Sequence, residues 1–236
     1  THPNTPGAMN DRRNSWSLTR TRSISPNFGI MEQQSGPGGW VSRMRQPAPK
    51  PGQMRLWTWQ AIAHGADFVS YFRWRTAPVG TEIYWHGLLN YDNEPNRRLR
   101  ELKKIAAETE KMAALAGSRY QARIAMVKDY SNEWDSEQDN WRRQDSISDY
   151  GWYEAGQVCH TPMDFVYLPE EGSERTVTVE DLLQYDLLVY PHPSILTKPR
   201  ADLLRQYAER GGTLILGVRT GYKDEYGRCP MRPMPG

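Results

Sequence analysis

Short apolar strands alternate with helices through the second half of this chain, and that alternation limits its fold more than any other feature. The predicted strands are four or five residues long and rich in β-forming residues. In chain order the predicted elements are strand 124–127, helix 148–158, strand 163–167, helix 179–184, strand 187–191, helix 197–210 and strand 213–217. A regular strand–helix repeat favours a parallel sheet covered by helices. We therefore predict a doubly wound, flavodoxin-like α/β domain here.

In the first half, a short apolar strand ends at a carboxylate. Phe28, Ile30 and Met31 predict a buried strand, Glu32 follows directly, and the glycine- and proline-rich residues 35–39 end it. Catalytic carboxylates occupy such positions when a parallel α/β barrel carries its site at the carboxyl ends of its strands. An ordinary solvated glutamate that closes a strand fits the position equally well.

A second strand–helix unit follows. Residues 53–64 predict a helix packed on most of its circumference, and residues 66–75 predict a strand buried on both faces. A long amphipathic helix is predicted at about 96–116. Near the start of the chain, residues 11–21 predict a helix, whereas residues 1–10 predict no regular structure.

Composition argues against several classes of protein. The 30 basic and 28 acidic residues nearly cancel, and no apolar run approaches the length of a membrane span. We therefore predict neither a nucleic-acid partner nor a membrane partner. Arg73 and Arg75 flank Trp74, but they lie in a predicted buried strand and are expected to pair with carboxylates.

The sequence predicts no cofactor and no metal site. Cys159 and Cys229 supply neither a disulfide framework nor a zinc site, which favours a reducing, cytoplasmic location. Gly211 and Gly212 precede a predicted strand instead of opening a helix, so they do not form a phosphate-binding loop.

Four motifs in order give the chain a family resemblance. They are Met31-Glu32-Gln33 at a strand end, Trp40, the run 65–75 and the run 80–87. Together they resemble glycoside hydrolase family 42, the β-galactosidases of bacteria and archaea. The resemblance implies that residues 1–118 are the C-terminal portion of a TIM-barrel catalytic domain, with the N-terminal portion absent from this chain. It implies that residues 119–236 are a flavodoxin-like trimerisation domain, itself truncated.

The resemblance also assigns a mechanism. Retaining glycosidases use two carboxyl groups roughly 5–5.5 Å apart, one as nucleophile and one as acid/base. By resemblance Glu32 is the nucleophile, and the acid/base follows an asparagine on an earlier strand. Because nothing before Glu32 matches that motif, the acid/base is expected upstream of this chain, and the chain alone is expected to be inactive. Glu82 is an alternative acid/base, but the resemblance makes it a binder of galactose hydroxyls.

The remaining assignments concern the sugar subsite and assembly. By resemblance Trp40 and Phe72 line the subsite, and either Trp85 or His86 fills a further binding position. The expected substrate is a galactoside or small oligosaccharide, and the expected assembly is a homotrimer. The polar loop 221–226 is expected to contact another subunit or an absent C-terminal portion. Two alternatives remain open: a non-catalytic assembly and partial sugar-binding fragment, and a related β-glycosidase or α-L-arabinosidase.

Overall fold

The computed structural model describes residues 4–5, 8–9, 11–39, 46–139 and 144–231. The chain divides into two compact units, Thr1–Tyr120 and Gln121–Gly236. Both are α/β in composition, and each contains a parallel sheet. No helix among the described residues is both long enough and apolar enough to cross a membrane.

The first unit contains two parallel strands with a helix between them, as predicted. Its elements are β1 (Asn4–Thr5), β2 (Ala8–Met9), α1 (Asp11–Ile24), β3 (Gly29–Gln34), α2 (Gln53–Ala63), β4 (Phe68–Phe72), α3 (Arg97–Lys111) and a short 3-10 helix (Ala113–Leu115). Strands β3 and β4 pair in parallel. Strands β1 and β2 pair antiparallel, so the prediction of no regular structure before residue 11 was wrong.

Two apolar clusters hold this unit together. Leu18 of α1 packs with Ile30 of β3 and Ala61 of α2, and all three are buried. In the second cluster, Met54 at the start of α2 packs against Ile105 of α3. Helix α3 begins where the Asn96 side chain accepts hydrogen bonds from the backbone N–H groups of the first turn.

Two burial predictions for this unit were wrong. The predicted helix 96–116 ends at Lys111, and Met112 and Leu115 beyond it are exposed. Strand β4 is not buried on both faces, since Phe68 is 49% exposed. Within the described part of the chain β4 pairs with β3 alone, so it lacks the neighbours that a continuous covered sheet supplies.

The second unit is a four-stranded parallel sheet with helices, close to the prediction. Its elements are β5 (Ile124–Lys128), α4 (Tyr130–Gln138), α5 (Gln144–Val158), β6 (Met163–Tyr167), α6 (Val179–Leu183), β7 (Leu187–Tyr190), α7 (Lys198–Glu209) and β8 (Thr213–Leu216). The strand order is β6-β5-β7-β8. Helix α4 was not predicted.

The core of this unit lies between the sheet and helices α6 and α7. Ala125 and Leu188 on neighbouring strands are fully buried there, together with Tyr207 of α7. The Tyr207 hydroxyl donates a hydrogen bond to the Tyr185 carbonyl at 3.0 Å. Its ring lies over Gly212, where a Cβ atom would be 2.2 Å from Cζ. Close packing therefore requires a glycine at position 212, whereas at Gly211 the positive φ of 98° favours glycine.

Candidate active site

A bulge in β3 determines how Glu32 is presented. Ile30 pairs with Val69 and Gln33 pairs with Tyr71, so β3 advances three residues while β4 advances two. A bulge of this kind breaks the alternation of side chains and re-aims them. Met31 and Glu32 are both exposed as a result, whereas Gln33 is buried. The prediction that Met31 is buried was therefore wrong, and β3 continues two residues beyond Glu32.

Hydrogen bonds from the Gln34 and Ser35 side chains hold the loop after β3 in place. The Gln34 amide nitrogen donates hydrogen bonds to the carbonyls of Gly36, at 3.0 Å, and Pro47, at 2.9 Å. The Ser35 hydroxyl donates to the Phe72 carbonyl at 2.7 Å. The chain that leaves Glu32 is therefore joined to the end of β4, the strand that carries Phe72.

The end of the 80–87 run, at residues 85–87, packs directly on this loop. The backbone N–H of His86 donates to the Pro37 carbonyl at 2.9 Å. A Cβ atom on Gly36 would be 2.4 Å from the His86 carbonyl oxygen, and one on Gly38 would be 2.2 Å from the Trp85 ring. Two glycines thus allow the loop that follows Glu32 and the loop that contains Glu82 to touch.

Glu82 lies at the exposed rim of this arrangement. Its carboxylate Oε2 accepts a hydrogen bond from Arg73 Nη1 at 3.0 Å, and its carbonyl accepts one from Nη2 at 3.3 Å. The Glu82 side chain is 49% exposed and that of Arg73 is 22% exposed. The prediction that Arg73 pairs with a carboxylate is confirmed. Because Arg73 holds Oε2, the ion pair also fixes the orientation of the other carboxylate oxygen of Glu82, Oε1.

The aromatic residues near the rim have different environments. Phe72 and Trp85 meet edge to face with their ring centroids 6.5 Å apart, and Trp85 is buried. His86 is half-buried and meets Tyr91 edge to face at 5.3 Å. Partial burial, and then the charge of Arg98, lower the pKa of His86 below its usual value, which favours the neutral imidazole. Of the two alternatives for the further binding position, His86 is the more accessible.

The structure therefore brings Phe72, Glu82, Trp85 and His86 into one connected group at the end of β4. Glu32 lies at the corresponding end of β3, linked to that group through Ser35. Trp40 lies outside the described residues. Sequence reasoning missed the roles of Gly36 and Gly38, although their glycine- and proline-rich context was the available signal.

Two family models match the chain almost end to end. One, described as "Beta-galactosidase", matches residues 5–112, and the other, described as "Beta-galactosidase trimerisation domain", matches residues 122–236. Together they cover both units of the structure. The chain belongs to glycoside hydrolase family 42.

Individual relatives support this assignment. The chain is 37% identical to beta-galactosidase BgaA from a Thermus species and 35% identical to beta-galactosidase BgaH from Haloferax lucentense, over 89% of its length in each case. It resembles the crystal structure of the beta-galactosidase from the psychrophilic Marinomonas ef1 with a TM-score of 0.74 and 28% identity. That comparison covers 97% of this chain and 36% of the other. The chain spans 29–30% of the length of the two sequence relatives.

Proposed function

We propose that this chain is part of a retaining β-galactosidase that cleaves terminal β-D-galactosides by double displacement, with Glu32 as the nucleophile. The observation that carries the proposal is the exposed Glu32 at the bulged carboxyl end of a parallel strand, beside the loop that contains Glu82. Carboxyl ends of strands are where parallel barrels carry their catalytic groups.

The architecture supports this proposal. Strands β3 and β4, each followed by a helix, correspond to two successive units of a (β/α)8 barrel, and we infer that they are its last two. In the second unit the strands are ordered second, first, third and fourth. That is the order of the first four strands of a flavodoxin-like sheet, the fold we propose for the trimerisation domain.

In the first step, the Glu32 carboxylate attacks the anomeric carbon and forms a glycosyl ester while the bond to the aglycone oxygen breaks. A protonated carboxyl group, which we place upstream of this chain, donates its proton to that oxygen. In the second step the same group removes a proton from water, and the water oxygen displaces Glu32. The anomeric configuration is therefore retained.

The remaining residues position the sugar. Arg73 holds Glu82 Oε2, so Glu82 Oε1 is available to accept a hydrogen bond from a galactose hydroxyl. Phe72 and Trp40 provide apolar walls, and neutral His86 both donates and accepts hydrogen bonds. No cofactor or metal takes part in these steps.

We further propose a homotrimeric, cytoplasmic enzyme with no nucleic-acid or membrane partner. The match to a trimerisation domain supports the oligomer. The free state of Cys159 and Cys229 is compatible with a reducing compartment.

The proposal is tested in a polypeptide that carries this chain together with the rest of the barrel. Glu32→Gly removes the nucleophile and should lower kcat on a nitrophenyl β-galactoside by roughly 10³-fold or more. Azide should restore turnover by occupying the vacated space, and it should give the α-galactosyl azide because a single displacement inverts the anomeric carbon. Glu110→Gln, an exposed carboxylate on α3, is the matched control and should keep full activity. Full activity of Glu32→Gly would refute the assignment.

A further inference from the structure

The second unit contains a cavity of about 440 Å³ at one end of its sheet. Its lining residues come from α4, from Asp139 directly after it, and from the segments that follow β7 and β8, and each of these segments follows the carboxyl end of a strand. In open α/β sheets that end is where ligands bind. The volume lies within the range of roughly 300–1,000 Å³ that is typical of small-molecule sites.

Charges in the cavity lining balance one another. Lys223 Nζ contacts Asp135 at 2.8 and 3.0 Å and also contacts Asp139. Burial lowers the pKa of Lys223, but hydrogen bonds to the two carboxylates outweigh it and raise the pKa, so the ammonium stays charged. Arg219 supplies a second cation to the lining. Two carboxylates and two cations give the cavity no net charge with which to select an ion.

His192 extends the polar wall without adding charge. Burial is the main reason that its pKa lies below the usual value, with Lys128 and Arg219 acting in the same direction and Asp149 opposing them. A neutral imidazole presents one donor and one acceptor. This wall is suited to hydroxyl groups, which also donate and accept.

Ser136 gives an independent sign of a ligand. Ser136 lines the cavity and is only 5% exposed. Its buried hydroxyl nevertheless has no hydrogen-bond partner among the described residues. A buried hydroxyl without a partner costs about 1–3 kcal/mol, so such groups normally have a bound partner. Tyr222, which is 41% exposed, adds an aromatic ring to the same lining.

We propose that this cavity binds a neutral, hydroxyl-rich small molecule, of the size and chemistry of a mono- or disaccharide. Sugar hydroxyls match the Asp139 carboxylate, the His192 imidazole and the Ser136 hydroxyl, and the apolar face of a pyranose ring matches Tyr222. All of the lining residues belong to the second unit, so the proposal does not depend on the assignment of Glu32.

The two free cysteines provide a test within one molecule. Cys229 lines the cavity and is exposed, whereas Cys159 is exposed but is not among the lining residues. The complete chain is alkylated with iodoacetamide in the presence of galactose, glucose or lactose, and the rate at each cysteine is followed by mass spectrometry. At a sugar concentration ten times its dissociation constant, alkylation of Cys229 should slow by about tenfold. Alkylation of Cys159 should not change.

Two variants test which residues the protection of Cys229 depends on. Ser136→Ala removes one hydrogen bond to the sugar and should weaken protection of Cys229 by about tenfold, without loss of thermal stability. Glu32→Gln lies in the other unit and should leave protection unchanged, which separates this site from the proposed catalytic one.

Several outcomes would overturn the proposal. They are equal protection of both cysteines, no protection of Cys229 by any of the three sugars, and protection by acetate or phosphate in place of sugar. Full protection in Ser136→Ala would also contradict it. Protection of Cys229 that depends on protein concentration and not on sugar would instead identify the cavity as a contact between copies of the chain.

Discussion

Arg73 and Glu82 form an ion pair with 3.0 Å between Nη1 and Oε2, and this pair joins the residue after β4 to the loop that carries the proposed galactose acceptor. Because both side chains are partly exposed, solvent screens their attraction, and the pair contributes little to stability. Its consequence is orientation of the Glu82 carboxylate.

We therefore expect Glu82→Gln to affect binding more than folding. Replacing a carboxylate acceptor with an amide should lower kcat/KM by about 10- to 100-fold, since charge-assisted hydrogen bonds contribute about 1.5–3 kcal/mol. The free energy of unfolding should change by less than about 1 kcal/mol. Galactoside kinetics and urea unfolding measure the two effects. The control is Glu94→Gln, an exposed residue of the same unit, and equal kinetics in the two variants would remove Glu82 from the site.

Contact between the two loops should depend on Gly36. In Gly36→Ala the new methyl group would meet the His86 carbonyl at 2.4 Å, and backbone atoms cannot move aside as a flexible side chain does. Overpacking of this kind costs about 1–3 kcal/mol, and we expect galactosidase activity to fall together with stability. Gly151→Ala on α5 has nothing within 4 Å and should be neutral or stabilising by up to about 1 kcal/mol. A Gly36→Ala variant as stable as wild type would contradict the packing.

His64 should make the first unit sensitive to mild acid. Its pKa is lowered first by burial and also by Arg22, while its hydrogen bond with the Gln60 carbonyl acts in the opposite direction. Its Nε2 atom is buried without a hydrogen-bond partner, so protonation would create a buried, unsatisfied donor. The unfolded chain binds that proton with a pKa of about 6.5. Stability from this group is therefore full above pH of about 6.5 and falls as pH decreases toward the folded pKa.

Urea unfolding between neutral and mildly acidic pH checks this expectation. His64→Phe keeps an aromatic ring against Tyr120 and should reduce the loss of stability on acidification. The control is His160→Asn, an exposed position with φ of 53° that asparagine tolerates, and it should follow the wild-type profile. The same pH profile in His64→Phe and wild type would show that His64 is not responsible.

A buried ion pair should be important for folding of the second unit. Lys128 and Asp149 are in contact with side chains only 4% and 3% exposed, and Glu133 lies 3.1 Å from the same ammonium. Asp149→Ala leaves Lys128 partly uncompensated and should cost about 3 kcal/mol, whereas Lys128→Met combined with Asp149→Leu should recover most of that loss. The exposed pair Lys198–Asp202 is the control, and Asp202→Ala should have no measurable cost because solvent screens such pairs. Chemical denaturation measures all of these variants, and equal costs at the two sites would contradict the argument.

The sheet of the second unit was predictable because its strands are short, mostly apolar runs of β-forming residues that alternate with helical segments. Helix α4 was missed because its sequence, with Asn132 and Asp135 among few apolar residues, lacks an apolar face of helical period. The structure supplies what that pattern lacks: the Asp129 side chain accepts a hydrogen bond from the backbone N–H of Asn132 and begins the helix. This capping aspartate follows β5 directly and was available as a signal.

The candidate site was predictable only in part. Strand-end positions for Glu32 and Phe72 follow from hydrophobic patterning and from the family motif. The bulge between Ile30 and Gln33 does not, because it arises from pairing with β4, which no local pattern contains. Exposure of Met31 and Phe68 likewise depends on which neighbours cover the sheet, and a single strand's sequence does not specify them.

Covalent trapping tests the central claim most directly. A galactosidase polypeptide that contains this chain and the rest of the barrel is inactivated with a 2-deoxy-2-fluoro-β-galactosyl fluoride and digested, and the labelled peptide is sequenced by mass spectrometry. The slow second step should leave the fluorosugar esterified to Glu32. A label on Glu82 or on any other carboxylate, or inactivation without a covalent adduct, would contradict the account.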